Sequence, residues 1–227
     1  MTTSHIFHLL LTALKQISDA KQKPVRMGIN GIEGTGKTVF AEQLTAYFQS
    51  QGQQAQHISI DGFHFNKAHR YRQGRDSAKG YYEDSYDEHG FVSKVLLRSQ
   101  QYPPSYIPAS HDLETDEYLS PAAKTISNDT FLITDGAYLF KPVYRDHWDV
   151  KIYLKTDFQT ALNRGVLRDA ESLGGKEAAA EKFALRYHKA SAMYIAENKP
   201  EELADLVIDM TDFDHLVVLE NRLIKDL

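Results

Sequence analysis

The stretch GIEGTGKT, Gly31 to Thr38, constrains this chain more than any other feature. It satisfies the pattern G-x-x-x-x-G-K-[ST], with an apolar run from Pro24 to Asn30 before it and a helical pattern from Gly36 to Gln51 after it. Gly31, Gly34 and Gly36 let the backbone turn tightly, so that successive N–H groups point inward at phosphate oxygens. The helix N-terminus adds its dipole at the same spot. Lys37 reaches the outer phosphates, the Thr38 hydroxyl is placed to bind magnesium, and Thr35 and Val39 complete the expected nucleotide-binding set. A nucleoside triphosphate is the expected ligand. No guanine-reading N-K-x-D follows, since Asn66–Lys67 continues as Ala-His, and no LSGGQ stretch is present. ATP with Mg2+ is therefore the expected cofactor pair.

A strand–loop–helix of this kind asks for a sheet. Further strands are expected at Gln56 to Asp61, Thr130 to Gly136, Val150 to Lys155 and Asp205 to Met210. Several are apolar throughout, which suits parallel strands covered on both faces. Helical patterns at Asp157 to Leu173 and Lys176 to Asn198 alternate with them, with Asp157 as a cap. The expected fold is α/β, three layers, mainly parallel, in one domain over residues 1–227. An amphipathic helix within residues 1–23, with Ile6, Leu10, Ala13, Leu14 and Ile17 at helical spacing, packs on it. Residues 64–128 read as an inserted acceptor-site segment, polar and rich in tyrosine, with a helix near Glu88 to Leu97. Residues 157–198 read as lid helices.

The rest of the chain narrows the class. A net charge of −5 gives no reason to expect nucleic acid or anionic membrane as a partner. The absence of cysteine removes disulfides, thiolate metal sites and cysteine nucleophiles, and favours a cytoplasmic location. The apolar run Ile6 to Leu11 is too short to span a bilayer and lacks the flanks of a signal peptide. A small-molecule acceptor is the expected partner, and homo-oligomer formation is compatible with the chain.

Two strand-terminal carboxylates point to chemistry on the terminal phosphate. Asp61 ends one strand, where it opens into the crevice of the phosphate loop. There it can accept the proton of an attacking hydroxyl or help hold magnesium. Asp135, in FLITDG, ends another and suits a magnesium-orienting role. Either could instead cap a turn before glycine. Arg164 and Arg168 lie four apart on one helical face and could close over the triphosphate. The alternative for Arg168 is a surface pair with Asp169 or Glu171.

These pieces in this order resemble the uridine kinase/phosphoribulokinase/pantothenate kinase branch of the P-loop kinases. ISIDGFHF is similar to that branch's D-x-F-[YH] signature. YYEDSYDEHGF resembles its segment ending in [FY]-D, here Tyr86–Asp87. IPASHDLETDEY is similar to the uridine kinase stretch Y-D-F-x-T-H, and FLITDGAYLF to the strand written hhh-E-G-hhh. The resemblance implies a Mg·ATP-dependent kinase acting on a metabolite hydroxyl. Asp61 would orient the acceptor hydroxyl, Lys37, Arg164 and Arg168 would act on the phosphates, and Thr38, Asp61 and Asp135 would serve the metal. Tyr82, Tyr86 and His111 would wall the acceptor site, with Tyr81 beside them. Two departures matter: Asp135 stands where the family generally has glutamate, and RDAESLGG replaces R-D-x-x-E-R-G-R. Uridine or cytidine is the implied acceptor, with pantothenate or another hydroxy acid or sugar next. The basic loop Arg70 to Gly80 hints at an anionic acceptor, and solvated loop charge explains it equally well.

Overall fold

Eight strands carry the architecture: β1 (Val25–Asn30), β2 (Ala55–Ser59), β3 (Ser105–Tyr106), β4 (Lys124–Thr125), β5 (Phe131–Gly136), β6 (Val150–Lys155), β7 (Leu206–Asp209) and β8 (Val217–Asn221). They come from a computed structural model that describes residues 2–223. Residue 1 and residues 224–227, the two ends of the expected domain, lie outside the described residues. Six strands form one sheet in the order β2-β5-β1-β6-β7-β8. All neighbours pair in parallel except β7 and β8. The pair β3–β4 is a separate small ribbon.

The burial of the strands explains the layering. Every residue of β5 is buried, as a strand covered on both faces requires. Met27, Ile29, Ile133 and Ile152 face one side, where they meet the helices Thr3–Lys21 and Lys37–Ser50 through Ile6, Leu10, Phe40 and Leu44. Leu132, Tyr153 and Val207 face the other, against Phe91, Tyr138, Trp148 and Tyr194. The result is helix on sheet on helix. The N-terminal helix buries Ile6, Phe7, Leu10, Leu11 and Leu14, a stripe at helical spacing. No helix among the described residues is long and apolar enough to cross a membrane.

The chain runs from β1 out to β2, returns through β5 to the near side of β1, then crosses to β6. β1 is thus the switch point, and ligands in such sheets bind outside the carboxyl ends of the strands there. The register Ile29↔Asp135 and Asn30↔Gly136 brings the phosphate loop and Asp135 out at one level.

Three expectations need correction. The second strand ends at Ser59, not Asp61. Asp61 instead lies on a single 3-10 turn, Ile60–Phe63, whose first free N–H groups are partly met by Ser59 Oγ, which accepts from Asp61 N at 3.3 Å. The antiparallel β8 was not expected, because its residues are exposed or half-buried and show no apolar alternation. The inserted segment is also more regular than its polarity suggests. It holds the helices Lys67–Arg70, Ala78–Asp84 and Glu88–Phe91, the last continuing through Leu97. Its apolar side belongs to the second core, through Tyr82, Tyr86, Phe91 and Val95.

Candidate active site

The phosphate loop is shaped by close approach. Gly34 has φ +88°, and a Cβ there would stand 2.1 Å from the carbonyl oxygen of Ala161. Glycine is required twice over, by conformation and by the helix Phe158–Asp169 lying against the loop. Asn30 anchors the loop's start: its Oδ1 accepts from Gly31 N at 2.8 Å, and its Nδ2 donates to Tyr194 Oη. Lys37 is buried, donates to the carbonyl of Ile32 at 3.0 Å and stands 3.8 Å from the Glu33 carboxylate. Glu33 in turn accepts from Tyr81 Oη at 2.9 Å.

Thr38 and Asp135 meet directly. Thr38 Oγ1 donates to Asp135 Oδ2 at 2.6 Å. The other carboxylate oxygen faces His57 Nε2 at 2.7 Å. Asp135 is 2% exposed, so both its oxygens are spoken for and its orientation is fixed. Among the described residues no group of three or more histidine, aspartate or glutamate side chains could hold a metal alone. The pair of Thr38 and Asp135 suits magnesium carried in with a phosphate. Magnesium takes one or two carboxylates or hydroxyls from the protein and the rest of its oxygens from phosphate and water. A hydroxyl and a fixed carboxylate side by side fit that demand.

Asp61 faces the same cavity of roughly 340 Å³, whose lining includes Lys37, Thr38, Asp61, Tyr86, Asp135 and Arg164. Its side chain is 57% exposed. Tyr86 Oη donates to Asp61 Oδ1 at 3.2 Å, and His64 Nε2 stands 3.5 Å from the same oxygen. His64 Nδ1 must carry the proton it gives to the carbonyl of Ser85 at 2.9 Å, because a carbonyl can only accept. Desolvation in the cleft works against the Asp61 charge. A doubly protonated His64, with its second N–H toward Asp61, the charge of Lys37 and the Tyr86 hydroxyl together outweigh it and hold the carboxyl below the usual aspartate range. Burial and the Asp61 charge push the Tyr86 phenol well up, so it stays a donor. A carboxylate ionised at neutral pH and oriented by two neighbours can receive a proton.

Arg164 and Arg168 both line the cavity, as their spacing predicts. Their present partners differ. Arg164 donates to the carbonyls of Met210 and Thr211, each at 2.8 Å, and its guanidinium lies 3.7 Å from the Phe213 ring centroid. Arg168 forms a two-toothed pair with Asp169, at 2.7 and 2.8 Å.

The structure does not bring all three expected acceptor residues together. Tyr86 is at the cavity. Tyr82 is in the second core, where its hydroxyl donates to Glu197 at 2.7 Å and accepts from Asn198 at 2.9 Å. His111 is buried beside Asp116, 3.3 Å away, with its backbone N–H on the carbonyl of Gly62. Neither is among the residues that line the cavity. Sequence reasoning also missed His57, Glu33, His64 and Phe213. His64 carried a signal, three residues after Asp61 in the same turn. Glu33 occupies a position that the loop pattern leaves free, and His57 gains its place from strand pairing.

Comparison with known proteins places the chain in a family. A family model described as "Phosphoribulokinase / Uridine kinase family" matches residues 27–214. A curated uridine kinase from Leuconostoc citreum (strain KM20) is 28% identical over 157 residues, covering 67% of this chain and 71% of that protein. A solved structure described as a "Possible Uridine Kinase from Bacillus stearothermophilus" superposes with a TM-score of 0.63 at 21% identity, over 87% of this chain and 98% of the other. A D-glycerate 3-kinase from Cryptococcus neoformans superposes with a TM-score of 0.59 at 10% identity, over 96% and 99%. At such identities the two structures establish the shared fold.

Proposed function

Because the chain belongs to the phosphoribulokinase/uridine kinase family, we propose that it transfers the γ-phosphate of Mg·ATP to a hydroxyl of a small metabolite. The observation that carries this reading is Asp61, ionised and oriented by Tyr86 and His64, across one cavity from Lys37, Thr38 and Asp135. Asp61 takes the acceptor's hydroxyl proton as that oxygen bonds to the γ-phosphorus and the bond to the bridging oxygen breaks, releasing ADP. Lys37 would hold the phosphates, and Thr38 with Asp135 would hold the metal. Magnesium, when bound, neutralises charge on the phosphate oxygens. Arg164 and Arg168 reach phosphate by exchanging their present partners as their helix closes, and closure excludes water as a competing acceptor.

Uridine is the acceptor that the name of the Leuconostoc relative supports, with cytidine beside it on the sequence resemblance. The cavity supports the reaction more than the nucleoside, since Tyr82, expected to wall the acceptor site, packs in the core. A cytosolic setting belongs to the same proposal.

The test is ADP release from Mg·ATP across uridine, cytidine, purine nucleosides, pantothenate, glycerate and sugars, with a no-acceptor control. One acceptor raising turnover far above the control supports transfer. Equal turnover without acceptor makes the protein an ATPase. Bound ATP with no turnover makes it an ATP-binding regulatory protein.

A further inference from the structure

The inserted segment and the helix beyond Gly175 bring together cations that phosphate transfer leaves unused. Arg186 lies on the π-helical turn Phe183–Tyr187 and is 3% exposed. Among the described residues it has no side-chain hydrogen bond and no ion pair, and its Nε is buried without a partner. Three tyrosine rings surround its guanidinium, Tyr81 at 4.7 Å, Tyr71 at 5.2 Å and Tyr187 at 5.6 Å. Arg75 stands 5.5 Å from the Tyr71 ring and Lys182 5.8 Å from the Tyr187 ring. Neither forms an ion pair among the described residues. Desolvation lowers the affinity of Lys182 for its proton and the charges of Arg186 and Arg75 add to this, against Tyr71 and Asp76.

Ring faces repay part of the cost of burying a guanidinium. They satisfy none of its five N–H donors. A chain of net charge −5 has no general surplus of cations to distribute, so three unpaired ones at one spot call for a counter-charge. An oxyanion supplies both acceptors and charge. The cluster is one side chain away from the reaction centre: the Tyr81 ring covers Arg186, and its hydroxyl donates to Glu33, which lines the cavity with Asp61.

We propose that Arg186, with Lys182 and Arg75, binds an anionic group of the acceptor, so that the substrate is a small hydroxylated carboxylate or phosphate ester. This rests on the kinase reading above. It places the hydroxyl at Asp61 and the anionic end beyond Tyr81.

The test uses matched pairs, D-glycerate with glycerol, ribose 5-phosphate with ribose, and pantothenate with panthenol, together with uridine. Binding to the full chain in the presence of Mg·ADP is read by calorimetry, and ADP release is read separately. The expected result is one anion bound at least about tenfold more tightly than its neutral partner, with Arg186→Gln removing that preference. Carboxylate and phosphate arms distinguish the two sources of charge. Should Arg186→Gln fail to fold, Arg75→Gln and Lys182→Gln, which sit nearer solvent, weaken the same anion at least about threefold. Uridine or a neutral partner bound as tightly, no anion bound, or variants that bind the anion like the parent would each overturn the proposal. A neutral acceptor that turns over leaves the kinase reading standing and removes this one. Anion binding lost in the variants, with no transfer to any acceptor, keeps this site and removes the kinase reading.

Discussion

The hydroxyl of Thr38, in the first turn of the helix Lys37–Ser50, and the carboxylate of Asp135, near the end of β5, are joined at 2.6 Å, and His57 holds the far oxygen of that carboxylate at 2.7 Å. The family pattern has glutamate in this place. Aspartate is a methylene shorter, and the imidazole fixes which of its oxygens faces Thr38. His57→Ala is therefore expected to raise the Mg2+ concentration for half-maximal rate by about tenfold or more, as loss of an outer partner does in metal sites. A magnesium titration of ADP release at saturating ATP measures it. An unchanged magnesium dependence would mean that His57 only fills space.

Asp61→Asn keeps ATP binding and lowers transfer by at least about a hundredfold, because the amide cannot take the proton. Calorimetry with ATP and ADP release in the same preparation separate the two effects. Near-normal turnover would sink the assignment of Asp61. Since its carboxyl is held below the usual aspartate range, the parent's rate should show no acid limb from this group above about pH 4.

Gly34→Ala meets both a left-handed backbone and the Ala161 carbonyl at 2.1 Å. The loop must move, so ATP affinity falls by about tenfold or more and the thermal midpoint drops by several degrees. Gly52, at φ +74° with open space around it, is the control. Its alanine variant carries the backbone cost alone and leaves ATP affinity unaltered.

Asp149 ties the N-terminal helix to the sheet. It accepts from Lys21 Nζ at 2.5 Å and from Arg26 through N at 2.8 Å, Nε at 3.2 Å and an η nitrogen at 3.2 Å. Desolvation opposes its charge, and the bonds from Arg26 and Lys21 overcome this to hold the carboxyl below its ordinary value of 3.8. A depressed carboxyl stabilises fully above its unfolded value, and that contribution fades as pH falls through the folded one. Asp149→Asn is thus expected to cost about 2–4 kcal/mol at pH 7. The gap to the parent should begin to narrow as pH falls below about 4. Denaturant melts at pH 7 and pH 3.5 check both. A gap that widens in acid would reverse the assignment.

How far these residues could be read in advance depended on how local their setting is. Gly31 to Thr38 announce themselves because strand, loop and helix are contiguous, and the phosphate chemistry is written within eight residues. Asp61 and Asp135 were legible because both precede a glycine near a strand's end, although the strand of Asp61 stops two residues sooner than its apolar run suggests. Tyr82 and His111 do not line the cavity, and a tyrosine that stacks on a ligand and one that packs a core look alike in sequence. Strand β8 lacks any apolar period and forms because β7 offers it an edge. The Arg186 cluster draws on two segments about a hundred residues apart, so no spacing along the chain could announce it.

Tyr81 has contacts on two sides. Its hydroxyl grips the glutamate beside Lys37, while its ring lies on Arg186. With the proposed anion site, one side chain thus belongs to both substrates' neighbourhoods at once. Whatever draws the ring toward or away from Arg186 alters the hold on Glu33, and so the counter-charge that Lys37 feels. Such a link runs equally in both directions. Loading of either substrate is then expected to retune affinity for the other, and the order in which they arrive becomes a property of this tyrosine rather than of either site alone.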